Sequence, residues 1–207
     1  MFHAGEKLIL ASKSPARARL LASVGVGFDV MDAEIDERAV EQRILAGLEA
    51  NSQEAARRLA SGLALEKARA IAALSPNRWV LGADQVLACE GAICHKARTP
   101  EEGCAQLRRL RGRTHYLFSG LALLKGEKQE MAHCSQAALT MRNFSDVALE
   151  SYVAAMGERM FATVGGYEIE GLGLTLMEKI EGDFSTILGL PLLPLLARLR
   201  ELGLMLA

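Results

Sequence analysis

The sequence has no surplus of either charge: 24 lysines and arginines face 25 aspartates and glutamates, for a formal net charge of −1. No overall basic field is available to draw the chain to nucleic acid or anionic lipid, so neither is expected as a partner. The local cluster Arg108-Arg109-Leu110-Arg111-Gly112-Arg113 stays open as a contact site but fits a solvated helix end better. Only four cysteines are present (Cys89, Cys94, Cys104 and Cys134), and none forms a Cys-x-x-Cys pair. Cys94-His95 beside Cys89 lacks a second ligand pair, so reduced, unligated thiols are a better reading than zinc. His3, His95, His115 and His133 show no ligand spacing either. Long apolar runs are missing too. Leu8–Ala11 is too short for a signal peptide and has no cleavage-site pattern. The leucine-rich stretch 187–207 is interrupted by Pro191, Pro194, Arg198, Arg200 and Glu201. The expectation is a soluble cytoplasmic protein that does not enter the membrane. There are no repeats or long linkers, and Gly25-Val26-Gly27 follows a helix instead of opening one, which removes a dinucleotide-binding fingerprint.

What is present is ordinary globular material: half the residues are hydrophobic and 24% are charged, over 207 residues. Strands are expected at 8–11 and 28–31, and helices at 15–24 and 52–74, the second capped by Asn51 or alternatively Ser52. A buried strand at 79–84 should end in Asp84, with 86–89 and 92–95 forming a hairpin. Thr99-Pro100 opens another helix. Long antiparallel strands follow at 114–124 and 131–141, then a helix at 145–156. A glycine-rich loop at 165–173 leads to a strand at 174–180 and a last helix at 191–202. The pattern is α/β, with the middle strands able to build a second lobe.

Five groups of residues are suited to chemistry. Leu8–Ala11 runs into Ser12-Lys13-Ser14, and Pro15 opens a helix that Ser14 can cap. Backbone N–H groups of its first turn, the hydroxyls of Ser12 and Ser14, and the charges of Lys13 and Arg17 would together suit a polyphosphate; a plain strand-to-helix turn would use the same residues. Asp84 at a strand end is a candidate catalytic carboxylate, or a turn residue. Lys67 lies in the stripe Leu59, Leu63, Lys67, Ile71, beside Ala60, Ala64, Ala68 and Ala72. A lysine there snorkels, pairs with an acid or faces a cleft. Glu34, Asp36 and Glu37 favour a helix N-terminus, and with Asp84 two carboxylates would be able to hold Mg²⁺. Lys96 is solvated or binds phosphate.

The joint order of these pieces resembles the Maf-like nucleoside triphosphate pyrophosphatases. It comprises Ser-x-Ser-Pro-x-Arg at 12–17, Asp36-Glu37, Glu66-Lys67-Ala68, Gly82-Ala83-Asp84 and Lys96. Gly-Arg-Thr-His at 112–115, Gly-Gly-Tyr at 165–167, Glu-Gly-Leu-Gly at 170–173 and the ending at 180–191 complete it. The resemblance implies a single domain over 1–207, with a mixed central sheet flanked by helices, akin to inosine triphosphatases, and a cleft between two lobes. It implies hydrolysis of a nucleoside triphosphate between its α and β phosphates, with a divalent metal cation (Mg²⁺ or Mn²⁺), in a cytoplasmic homodimer. By matching position, Asp84 would accept the proton, and Glu37 would hold metal or water together with Asp84. Lys67 joins them as a catalytic group. Ser12, Ser14, Arg17, Lys67 and Lys96 would grip the triphosphate.

Base choice is implied to rest on Ala16, Gln85 and Glu170. A branch acting on thymidine and uridine triphosphates has Arg, Thr and Gln at those positions, whereas a branch acting on 7-methyl-GTP has Trp, Gln and Glu. This chain shares Gln85 and Glu170 with the second but has no aromatic platform at Ala16. It also departs at Ala162-Thr163, where the family often has Asp-Lys, and at Ala97, commonly Pro. The leading expectation is removal of non-standard or modified nucleotides. The alternatives are a preference for 7-methyl-GTP, or a weakly catalytic nucleotide-binding regulator of cell division.

Overall fold

A computed structural model of the chain describes residue 2 and residues 7–48 and 52–206. The four apolar residues of β1 (Leu8–Ala11) are fully buried inside the sheet. They pair in parallel with β2 (Phe28–Val30) on one side and β3 (Trp79–Cys89) on the other. β4 (Ala92–Cys94) folds back on the end of β3, and β5 (Thr114–Lys125), β6 (Lys128–Met141) and β7 (Met177–Glu181) add antiparallel neighbours. The order is β2-β1-β3-β5-β6-β7, with β4 on β3. Helices α1 (Pro15–Ser23), α2 (Glu37–Leu45), α3 (Gln53–Leu74), α4 (Pro100–Leu110), α5 (Asp146–Met156), α6 (Phe184–Ile187) and α7 (Leu192–Glu201) flank this sheet. The mixed α/β class is as expected.

The alanine-rich stripe of α3 explains how the layers meet. Ala56, Ala60, Ala64, Ala68 and Ala72 are buried, and the helix packs on β3 and β5 through glycine. A Cβ at Gly82 would lie 2.0 Å from the Ala64 carbonyl oxygen, and one at Gly120 2.3 Å from that of Ala60. Helix backbone therefore rests directly on strand backbone. A second body of buried residues, including Leu107, Leu139, Phe144, Leu149 and Met160, surrounds the other end of β3, β5 and β6 beneath α4 and α5. The two lobes thus share long strands, and the cleft lies along β3. β1 accompanies β3 only as far as Gly82, and β4 pairs with β3 only from Leu87 onward, so one edge of β3 is uncovered between them.

Several boundaries differ from the sequence expectations. β3 does not end at Asp84: it runs unbroken for 11 residues because β5 pairs with it from Trp79 to Cys89, and this pairing carries the strand through its polar middle. Asp84 is consequently a mid-strand residue facing α3. Leu172–Leu176 form a 3₁₀ turn and the last strand starts at Met177. The turn is forced by close backbone approach, since a Cβ at Gly173 would lie 2.6 Å from the Glu168 carbonyl. Helices α2 and α6 were not expected as separate elements. Ser52 caps α3, its hydroxyl accepting the Ala55 N–H at 3.1 Å, whereas Asn51 lies outside the described residues. Among the described residues no helix is long and apolar enough to cross a membrane.

Gly120→Ala should lower unfolding stability by about 1–3 kcal/mol, the usual range for overpacking, because the obstructing atoms are backbone. Chemical denaturation read against Gly25→Ala, where a Cβ has open space but a positive φ, separates crowding from backbone strain.

Candidate active site

Three side chains from three elements meet on the α3 face of β3. Lys67 Nζ donates to Asp84 Oδ1 at 2.5 Å and lies 2.6 Å from Glu37 Oε1. The Lys67 and Asp84 side chains are each only 12% exposed, while Glu37 is 58% exposed at the cleft mouth. The alanine stripe and Gly82 bring α3 close enough for a lysine on its edge to reach mid-strand Asp84. Glu37 is the first residue of α2, and Asp36 is the cap of that helix, accepting the N–H groups of Arg38 and Ala39 at 3.1 and 3.0 Å. Asp32 pairs instead with Lys13 at 2.6 Å. Of Glu34, Asp36 and Glu37, only Glu37 reaches Lys67.

The Ser12–Arg17 segment adjoins this centre. Ser14 caps α1, accepting the Arg17 N–H. Arg17 is buried and spans the uncovered edge of β3: Nη1 donates to Ser12 Oγ and to the Ala83 carbonyl, both at 2.8 Å, and Nε donates to the Gly189 carbonyl at 2.9 Å. Its Nη2 has no partner among the described residues. Burial pushes the Arg17 pKa down, and the carboxylates of Asp84 and Glu37 oppose that shift. Lys96, exposed just beyond β4, also has no ionic partner among the described residues.

Gln85 points to the opposite face of β3 from Asp84, as alternation requires. Its amide nitrogen is committed to Ser119 Oγ and to the carbonyls of Thr186 and Ile187, at 3.0–3.1 Å. Ala16, Glu170 and Thr163 line the same cleft, which encloses about 1150 Å³. Glu170 is not free: Arg19 Nη2 donates to its Oε2 at 3.0 Å. The hydroxyl of Thr163 is buried without a hydrogen-bond partner among the described residues. Sequence reasoning passed over Arg19, although its place three residues after Ala16 on α1 puts it on the same helix face.

Two further motifs meet beneath the cleft. His115 Nε2 and the Tyr167 hydroxyl are 2.6 Å apart, both residues are buried, and Tyr152 donates to the Gly166 carbonyl at 3.2 Å. Gly165 has to be glycine here, since a Cβ would sit 2.2 Å from the Tyr167 ring. This latch fixes the 165–173 loop that carries Glu170. Burial pulls the His115 pKa down to about 4 and pushes those of Tyr152 and Tyr167 up. Among the described residues no group of three or more His, Cys, Asp or Glu side chains converges as a metal site.

In the unfolded chain His115 binds a proton below its ordinary value of 6.5, whereas the folded protein resists it down to about 4. Stability should therefore fall as pH drops through that window, by up to about 3 kcal/mol from this residue. Urea titrations at pH 7 and pH 4.5 should show a smaller acid-induced loss for His115→Gln than for the wild-type protein.

The model of the family described as Maf-like protein matches residues 7–202. A nucleoside triphosphate pyrophosphatase from Nitrobacter winogradskyi is 46% identical over 201 residues, covering 97% of this chain and 96% of that protein. A 7-methyl-GTP pyrophosphatase from Rhizobium meliloti is 43% identical over 196 residues, covering 95% and 96%. Among solved structures, a HAM1 protein from Coxiella burnetii is similar at a TM-score of 0.38 and 12% identity, over 67% of this chain and 74% of that one, too remote to bear on the chemistry. Given a family match over almost its whole length and relatives of this identity, the chain belongs to the Maf-like protein family.

Proposed function

We propose that this protein hydrolyses a nucleoside triphosphate at the α–β phosphoanhydride, giving a nucleoside monophosphate and pyrophosphate, and so clears non-standard or modified nucleotides. The observation that carries the reading is the convergence of Asp84 and Glu37 on Lys67 beside the Ser12–Arg17 segment, in a cleft large enough for a nucleotide. The names of the relatives at 43–46% identity support it.

The two carboxylates fit a hard divalent cation such as Mg²⁺ or Mn²⁺. Both converge on Lys67 Nζ, so a cation held between them would take the place of the ammonium as Lys67 turns to phosphate; no third acid converges with them among the described residues, and the remaining positions would fall to water and phosphate oxygens, the arrangement Mg²⁺ favours. When bound, such a cation acidifies water and offsets phosphate charge. Asp84 is the proton acceptor: it takes a proton from water as the water oxygen bonds to the α-phosphorus, and the α–β bridging oxygen departs with pyrophosphate. Lys67 orients the Asp84 carboxylate and can turn toward phosphate oxygens. Ser12, Ser14, Arg17 through Nη2, and Lys96 bind the triphosphate, whose charge they match. Arg17 has the further task of holding the loop to β3. Ala16, Gln85 and Glu170 form the base end, and the resemblance supports a homodimer.

Asp84→Asn should cut pyrophosphate release by about 10²–10⁴-fold, the usual contribution of a general base, while nucleotide affinity by calorimetry changes little. Near-wild-type turnover would refute the role. Chelation with EDTA should abolish turnover, and added Mg²⁺ or Mn²⁺ should restore it; activity that survives exhaustive chelation would remove the cation from the reaction.

A further inference from the structure

The base end of the cleft contains a charge that the position-by-position carry-over does not include. Arg19 lies one helical turn beyond Ala16 on α1, and the single methyl of Ala16 leaves that face open. From there Arg19 reaches the 165–173 loop and pairs with Glu170 at 3.0 Å; the two side chains are 64% and 45% exposed to the cleft and its mouth. Gln85, on the same side of β3, has spent its amide nitrogen on Ser119 and α6. Among the described residues, the groups of Arg19, Glu170 and Gln85 still without a partner are the remaining N–H donors of the Arg19 guanidinium, Glu170 Oε1 and the Gln85 side-chain carbonyl.

Resting on the reading of the cleft as a nucleotide site, we infer that Arg19 is a specificity-determining residue that directs the site toward modified purine triphosphates that keep a neutral ring and a free N7, for which GTP serves as the probe, and away from the cationic N7-methylated base. A guanidinium fork matches the adjacent O6 and N7 acceptors of guanine, and a carboxylate oxygen accepts from its N–H groups. Methylation at N7 removes one acceptor and puts a positive charge beside the Arg19 cation. No aromatic ring stands at position 16 to offset that charge. Glu170 alone would attract a cationic base; Glu170 already paired with Arg19 does not.

The test compares GTP with 7-methyl-GTP on the 207-residue protein, by kcat/KM for pyrophosphate release and by calorimetric Kd on the Asp84→Asn protein. Wild type should favour GTP by roughly tenfold, and Arg19→Ala should erase that preference in both measurements while the melting temperature stays unchanged. Arg19→Lys, which keeps the charge but not the fork, should retain part of the discrimination. A wild-type preference for 7-methyl-GTP, or a ratio unmoved within about twofold in a folded Arg19→Ala protein, overturns the inference. If no triphosphate is hydrolysed yet the Kd ratio still depends on Arg19, the catalytic reading falls and this inference stands. If neither nucleotide binds, both fall.

Discussion

The contact of α3 backbone with β3 and β5 backbone is the constraint on which the remainder of the molecule depends. It exists because Gly82 and Gly120 have no side chain where the carbonyls of Ala64 and Ala60 lie. A layer of ordinary side chains would hold the helix farther from the sheet. At the shorter separation, a lysine in the helix stripe no longer has to run out to solvent; it meets a carboxylate in the middle of a strand. Lys67–Asp84 is thus a consequence of small residues, and the removal of a methyl-sized obstacle at two positions does as much for the centre as the charged groups themselves.

Much of this was legible in the sequence because the signals were local and periodic. The Ser14 and Thr99 caps, the apolar β1 run and the alanine stripe of α3 each express a short-range rule, and the structure follows them. Lys67 stood out because it breaks an apolar stripe. The strand through Asp84 was harder to read: Gly82-Ala83-Asp84-Gln85 resembles a strand end, and only pairing with β5, more than 30 residues away, makes it a strand middle. Asp36 and Glu37 are adjacent acids with the same local chemistry, and which of them caps α2 and which reaches Lys67 depends on where α3 lies. Arg19 was hidden for a similar reason, since its partner is 151 residues away.

Arg17 shows how a charged residue can serve structure and chemistry together. A buried guanidinium is tolerated when its donors find acceptors, and here the acceptors are backbone carbonyls and a serine hydroxyl from three separate segments. Those bonds close the edge of β3 that β1 and β4 leave bare, where unpaired strand groups would otherwise face water. Lysine, with no planar fork, would not span the same three points.

The shared strands of the two lobes also govern how the molecule can move. β3, β5 and β6, of 11, 12 and 14 residues, pass without interruption from one lobe into the other. A hinge needs a few loop residues to absorb a rotation, and no such break divides these strands. Closing the lobes over a bound molecule would mean flexing a hydrogen-bonded sheet. Adaptation to what enters is therefore left to individual long side chains at the rim, and the cleft behaves mechanically as a fixed mould with movable fingers.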